Sequence, residues 1–123
     1  MPGKVETGSV ERLADLVDVV LDDLKAESVA RLDVRHLTSV TDVMFIATGR
    51  SSRHVRAVAK ELIERCKANE IRPFGIEGED GGEWVLIDLA DVVVHVMLPN
   101  VREFYDLEKL WDLETIDDAG RTF

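Results

Sequence analysis

Five consecutive apolar residues, Val43–Met44–Phe45–Ile46–Ala47, stand between polar turns. The run is short for a helix and too dense for a strand with one wet face. It specifies a strand in the middle of a sheet, covered on both sides over at least part of its length. The rest of the chain must therefore supply apolar cover. Val10, Leu13, Val17, Val20, Leu21 and Leu24 recur at helical spacing behind Ser9, a predicted cap, with Glu11, Asp15, Asp18, Asp22 and Asp23 on the other side. Val55, Val58, Ala59, Leu62, Ile63 and Cys66 form a second stripe behind Ser52, which is placed to cap it. Arg56, Lys60, Glu61, Glu64 and Lys67 make its outer face a solvated mixture of charges.

The remaining segments complete a sheet. Val29 to Val34 alternates like a half-exposed peripheral strand. Arg72 to Ile76 returns the chain to the sheet after the second helix, and strand, helix and strand in that order imply a parallel, right-handed crossover. Gly78 to Gly82 is a mobile turn. Trp84–Asp88 and Val92–Leu98, joined through Leu89 and Ala90, read as a β-hairpin. Pro99 stops the last strand, and Val101 to Trp111 has the spacing of one or two short helices anchored by Phe104, Leu107 and Leu110. Tyr105 and Trp111 fit either core or contact roles. The expected architecture is α/β, a mixed β-sheet with flanking helices in a single domain over residues 9–111, between a flexible lead-in (1–8) and an acidic, frayed extension (112–123).

Charge and cysteine usage narrow the function. Of 123 residues, 25 are acidic and 15 basic, a formal net charge of −10, and −7 remains when 112–123 is set aside. Neutralising phosphates requires clustered Lys and Arg, so free nucleic acid is disfavoured as the main ligand and a basic protein partner is favoured. The single Cys66 lies on an apolar stripe with no partner for a disulfide, which suits a reducing cytoplasm. There is no apolar run of membrane-spanning length and no signal-like N-terminus, so a cytoplasmic location is expected.

The hairpin carries the clearest functional signal. Pairing Asp88 with Asp91 sets Leu86 opposite Val93 and Trp84 opposite His95. One face then holds Val85, Ile87, Val92, Val94, Val96 and Leu98, which the two amphipathic helices must cover. The other holds Trp84, Leu86, Asp88, Val93, His95 and Met97, a mixture suited to protein docking. The competing arrangement folds the terminal helices over Trp84 and Met97 as a satellite core, with His95 bonded to a backbone carbonyl. With both long helices used on the opposite face, few residues remain to cover this one, which favours an exposed patch. The same face also suits a homodimer interface.

Catalytic chemistry is harder to place. Phe45 to His54 brings Gly49, Ser51 and Ser52 to a helix start beside Arg50, Arg53 and His54, where backbone N–H groups suit a phosphate. A nucleotide-binding or nucleotidyltransferase-like enzyme using the Gly49–Arg53 turn is therefore the alternative reading. Such enzymes need paired carboxylates on a strand to hold Mg²⁺, whereas Asp88 and Asp91 bracket a turn. Capping is the default role of Ser51 and Ser52. His36, His54 and His95 are far apart in sequence, so no metal site, cofactor or catalytic residue is expected.

These segments together resemble a known family. Thr41–Asp42 with Phe45–Gly49, Ser51–Val55, Glu77–Gly78, Trp84–Asp88, Asp91–Val96 and Arg102–Trp111 are similar, in the same order, to the ribosomal silencing factor family, RsfS or Iojap-related proteins. The resemblance covers roughly residues 10 to 111 and leaves the acidic extension outside. It implies a sheet of nucleotidyltransferase-like topology without that catalysis. It also implies homodimers and binding to the large ribosomal subunit at ribosomal protein L-fourteen. That binding would block joining of the small subunit and repress translation when nutrients are scarce. Trp84 maps onto the family's docking surface directly, Leu86, His95 and Met97 by sharing its face, and Leu89 and Asp91 by their place at the hairpin turn.

Overall fold

The computed structural model describes residues 7–106. The leading residues and the segment from Leu107 onward, including Leu110, Trp111 and the acidic extension, lie outside the described residues. In chain order the elements are α1 (Thr7–Asp23), β1 (Glu27–Asp33), β2 (Val43–Thr48), α2 (Ser52–Ala68), β3 (Gly75–Glu77), β4 (Trp84–Asp88), β5 (Val92–Met97) and α3 (Pro99–Tyr105). The strands form one mixed sheet in the order β1-β2-β5-β4-β3. Among the described residues only β2 and β5 pair in parallel, and each has a neighbour on both sides. Every residue of β2 is buried, as its unbroken apolar run requires.

Two apolar layers sandwich this sheet. On the inner face, α1 and α2 cover Val43, Phe45 and Ala47 of β2, Val85 and Ile87 of β4, and Val92, Val94 and Val96 of β5. The buried stripe of α2 is Val55, Val58, Ala59, Leu62, Ile63 and Cys66, the six residues whose spacing marks them. On the outer face a smaller cluster joins Val34, Met44, Ile46 and Met97, with Trp84 and Val101 packed against it. Burying a side chain of this size contributes roughly 1.5–3 kcal/mol, so the inner layer carries most of the stability.

Several local expectations need correction. Helix α1 starts at Thr7, which places Ser9 inside its first turn rather than at the cap. The cap of α2 is Ser51, one residue earlier than Ser52. Its extended backbone lets its hydroxyl accept the His54 N–H at 3.1 Å. Both long helices end in a Schellman motif. Lys25 (φ 60°) and Glu70 (φ 61°) take the left-handed position usually given to glycine. Lys25 N–H reaches Asp22, Ala26 reaches Leu21, Glu70 reaches Lys67 and Ile71 reaches Cys66.

The returning strand is shorter than Arg72–Ile76. Pro73 has no N–H to donate, and only Gly75–Glu77 pairs, antiparallel to β4 at the sheet edge. It runs parallel to β2, as a crossover requires, but β5 and β4 lie between them. The hairpin register is Asp88↔Val93, Leu86↔His95 and Trp84↔Met97. Leu89 still belongs to the ladder, its N–H reaching Val92 O at 2.9 Å, so the turn is Ala90–Asp91 with Ala90 at φ 72°. Moving the turn by one residue shifts each partner by two, which leaves both face assignments intact.

Candidate functional site

The outer face of the sheet is built in rows fixed by strand register. One row runs Glu77, Leu86, His95, Ile46, Ala30 from edge to edge, and the next holds Asp88, Val93, Met44 and Leu32. A third begins with Trp84 and continues through Met97 and Thr48. Helix α3 leaves β5 at Pro99, whose fixed φ suits the first helical position, and lies against this third row. Arg102 fixes the helix there. Its guanidinium donates to Thr48 Oγ1 at 2.9 Å and to the carbonyl of Ser28, which the β1 bulge presents.

Four rings line up where α3 meets the hairpin. Phe104 meets Tyr105 edge-on at 4.9 Å between centroids, Tyr105 lies 5.0 Å from Trp84, and Trp84 lies 5.9 Å from His95. These spacings fall in the range of favourable aromatic pairs. The indole Nε1–H of Trp84 donates to Nδ1 of His95 at 3.0 Å. His95 therefore uses an aromatic side chain, not the expected backbone carbonyl, and its proton sits on Nε2. Burial lowers its pKa to about 4, so the imidazole is neutral near pH 7. Phe104 is 79% exposed and Tyr105 54%. The ring run thus passes from half-buried histidine to open aromatic surface.

The expected site residues separate into two groups. Trp84, Leu86 and His95 share the outer face and are half-buried, and Asp91 is half-exposed at the turn. Met97 is fully buried, because α3 and β2 cover it, so the expectation of an exposed methionine is wrong. Leu89 is 5% exposed and packs into the inner layer beneath α1 and α2, the opposite face from Trp84. Asp91 has a structural task as well: its carbonyl accepts the N–H groups of Asp42 and Val43 and ties the 34–42 loop to the hairpin. Phe104, expected to anchor its helix, instead joins the exposed rings. Phe104 and Tyr105 meet Trp84 only through the placement of α3 against the hairpin, which no local sequence pattern signals.

The Gly49–Arg53 turn is committed to internal bonds. Gly49 N–H reaches Met97 O, and Arg50 N–H donates to His54 Nδ1 at 2.9 Å. His54 Nε2 bonds the carbonyl of Leu24 at 2.7 Å, which joins this turn to the end of α1. The Arg50 guanidinium lies beside Glu27 and the Lys25 carbonyl. Three of the N–H donors that would cradle a phosphate, those of Gly49, Arg50 and His54, are thus occupied. Among the described residues no three metal-ligating side chains stand together, and no helix is long and apolar enough to cross a membrane.

Comparison with known proteins gives one consistent result. A family model described as "Ribosomal silencing factor during starvation" (RsfS) matches residues 7–122, a span that takes in nearly all of the acidic extension. A Chromobacterium violaceum protein named ribosomal silencing factor RsfS is 43% identical over 102 residues, covering 83% of this chain and 84% of that protein. A Haemophilus influenzae protein of the same name is 43% identical over 99 residues, covering 80% of this chain and 97% of its own. A crystal structure of a Chromobacterium violaceum protein superposes with a TM-score of 0.82 at 43% identity, covering 83% of this chain and 85% of that one.

Proposed function

The chain belongs to the RsfS family of ribosomal silencing factors, and from that premise we propose that it acts as a steric obstacle on the large ribosomal subunit. It docks on ribosomal protein L-fourteen through the outer face of its hairpin and occupies space that the small subunit needs, so translation falls when nutrients are limiting. The family's role is regulatory rather than enzymatic, and the mechanism needs no chemical step. Trp84, Leu86 and His95 form the centre of the contact, with Asp91 at its margin. Met97 supports the sheet from beneath, and Leu89 holds the turn in place. The protein works in the cytoplasm and self-associates as a homodimer, which light scattering on the purified protein tests.

The observation that carries this reading is the unbroken run of Phe104 and Tyr105 on α3 with Trp84 and His95 on the outer face of the hairpin. Large rings bury much area at low entropic cost and dominate interface energies. His95, neutral and already bonded to Trp84, enters such a contact without a charge to desolvate. Acidic α1, with five carboxylates against Arg12, favours encounter with a basic partner.

Co-sedimentation with large subunits tests the proposal. Trp84→Ala should abolish retention. Because Trp84 also packs against the buried cluster of Val34, Met44, Ile46 and Met97, Phe104→Ala provides a variant whose fold is not at risk, and it should weaken retention several-fold at unchanged melting temperature. Full retention of both variants overturns the assignment of this face.

A further inference from the structure

The net charge of this acidic protein is distributed unevenly, and the structure separates its two signs. Helix α1 carries Glu11, Asp15, Asp18, Asp22 and Asp23 against Arg12, whereas α2 carries Arg53, Arg56, Lys60, Arg65 and Lys67 against Glu61 and Glu64. Near α1 three cations are paired with carboxylates. Arg31 meets Asp15 at 3.0 Å and Asp18 at 2.6 Å, Arg35 lies beside Glu11 and Asp33, and Arg65 bridges Asp23 and Glu61. Arg53, Lys60 and Lys67 are exposed and have no ion-pair partner among the described residues.

Helical geometry sets these cations in one stripe. At 100° per residue, Arg53, Arg56, Lys60 and Lys67 fall within about 60° of one another, on the flank of α2 that faces away from α1. From Arg53 to Lys67 the stripe is about 21 Å long. It borders a groove floored by Ile63, Ile76 and Val85, whose rim also carries Glu64 and Glu79 among Arg56, Lys60 and Lys67, so it runs beside β3, the three-residue edge strand. The outer face begins on the other side of that same short edge, at Glu77 and Leu86. A surface that wraps this edge reaches both.

Resting on the proposed docking at the large subunit, we infer that this flank of α2 binds the phosphate backbone of ribosomal RNA beside the protein contact. A ribosomal subunit presents RNA next to its surface proteins, and a row of unpaired cations on an otherwise acidic molecule complements phosphates rather than a basic protein. The outer face thereby contacts protein while α2 sets orientation against RNA. Encounter remains confined to the subunit, because the acidic remainder of the molecule repels free nucleic acid.

The test uses Arg53→Gln/Lys60→Gln/Lys67→Gln in the full chain. Arg56 is kept because it donates to the Asp80 carbonyl at 3.2 Å and holds the 78–82 loop. Binding to purified large subunits and to isolated ribosomal protein L-fourteen is measured across a salt series. The expected result is subunit binding at least tenfold weaker at low salt, with the log–log salt slope shallower by about two to three, and wild-type binding to the isolated protein. Unchanged subunit affinity and slope overturn the inference while leaving the docking proposal standing. Equal weakening toward the isolated protein also overturns it, assigning the stripe to a protein contact. If the wild type binds neither subunits nor isolated protein, the docking proposal and this inference fall together.

Discussion

The Trp84 indole N–H and His95 Nδ1 form a 3.0 Å hydrogen bond diagonally across the β4–β5 ladder, since Trp84 faces Met97 and His95 faces Leu86. This bond fixes the imidazole as the neutral Nε2–H tautomer and holds the indole against the sheet. Orientation of the ring and protonation of the histidine are therefore linked.

Replacing Trp84 with Phe keeps an aromatic ring against Tyr105 but removes the donor from His95 Nδ1. An orphaned, largely buried acceptor costs about 1–3 kcal/mol. Urea unfolding should show a lower midpoint at unchanged m-value. An unchanged midpoint would mean that the bond contributes nothing to stability.

Acid should weaken the fold through His95. Its pKa in the native state is about 4, against about 6.5 in an unfolded chain. Between these values the unfolded chain binds a proton that the folded one refuses, so stability falls as pH drops from about 6.5 to about 4. Outside that window this group adds no slope. The full effect is about 3 kcal/mol. His95→Asn keeps an acceptor for Trp84 and has no titration, so its unfolding midpoint should fall less between pH 7 and 5 than that of the wild type. Parallel curves would assign the acid sensitivity elsewhere.

Glu70 at φ 61° occupies the left-handed end position of α2. Glycine adopts that conformation without Cβ strain, and the unfolded-state entropy it adds offsets only part of the relief. Glu70→Gly should therefore stabilise by about 0.5–1 kcal/mol, read as a rise of a few degrees in Tm. A drop would show that the Glu70 side chain makes a contact worth more than the strain.

Gly78 sits at φ 85°, and a Cβ there would lie 2.0 Å from the carbonyl oxygen of Trp84. Backbone cannot yield as a flexible side chain does. Gly78→Ala should cost about 2 kcal/mol or more and displace the start of β4, giving a shifted Trp84 fluorescence maximum. A variant with native stability and emission would contradict this geometry.

The parts of the fold that were legible in the sequence were those set by periodicity. The buried stripe of α2, the two-sided burial of β2 and the two hairpin faces follow from spacing alone, and the faces survive a turn displaced by one residue because strand parity is unchanged. Helix ends were less legible, since Lys25 and Glu70 stand where glycine would have signalled a stop. The candidate site was half legible. Trp84, Leu86 and His95 share a face by parity, but the burial of Met97 and the joining of Tyr105 and Phe104 to Trp84 depend on where α3 lies, and no local pattern encodes that.

Under the proposed function this protein keeps ribosomal subunits apart by occupying the large one through its Trp84-bearing face. The most direct measurement mixes separated large and small subunits with increasing protein and follows the joined particle by sedimentation. Wild-type protein should diminish the joined peak in proportion to its binding, and Leu86→Lys, which places a cation in the middle of the contact, should require at least tenfold more protein for the same effect. A joined peak that wild-type protein leaves intact, or that Leu86→Lys diminishes equally well, would rule out steric blocking through this face.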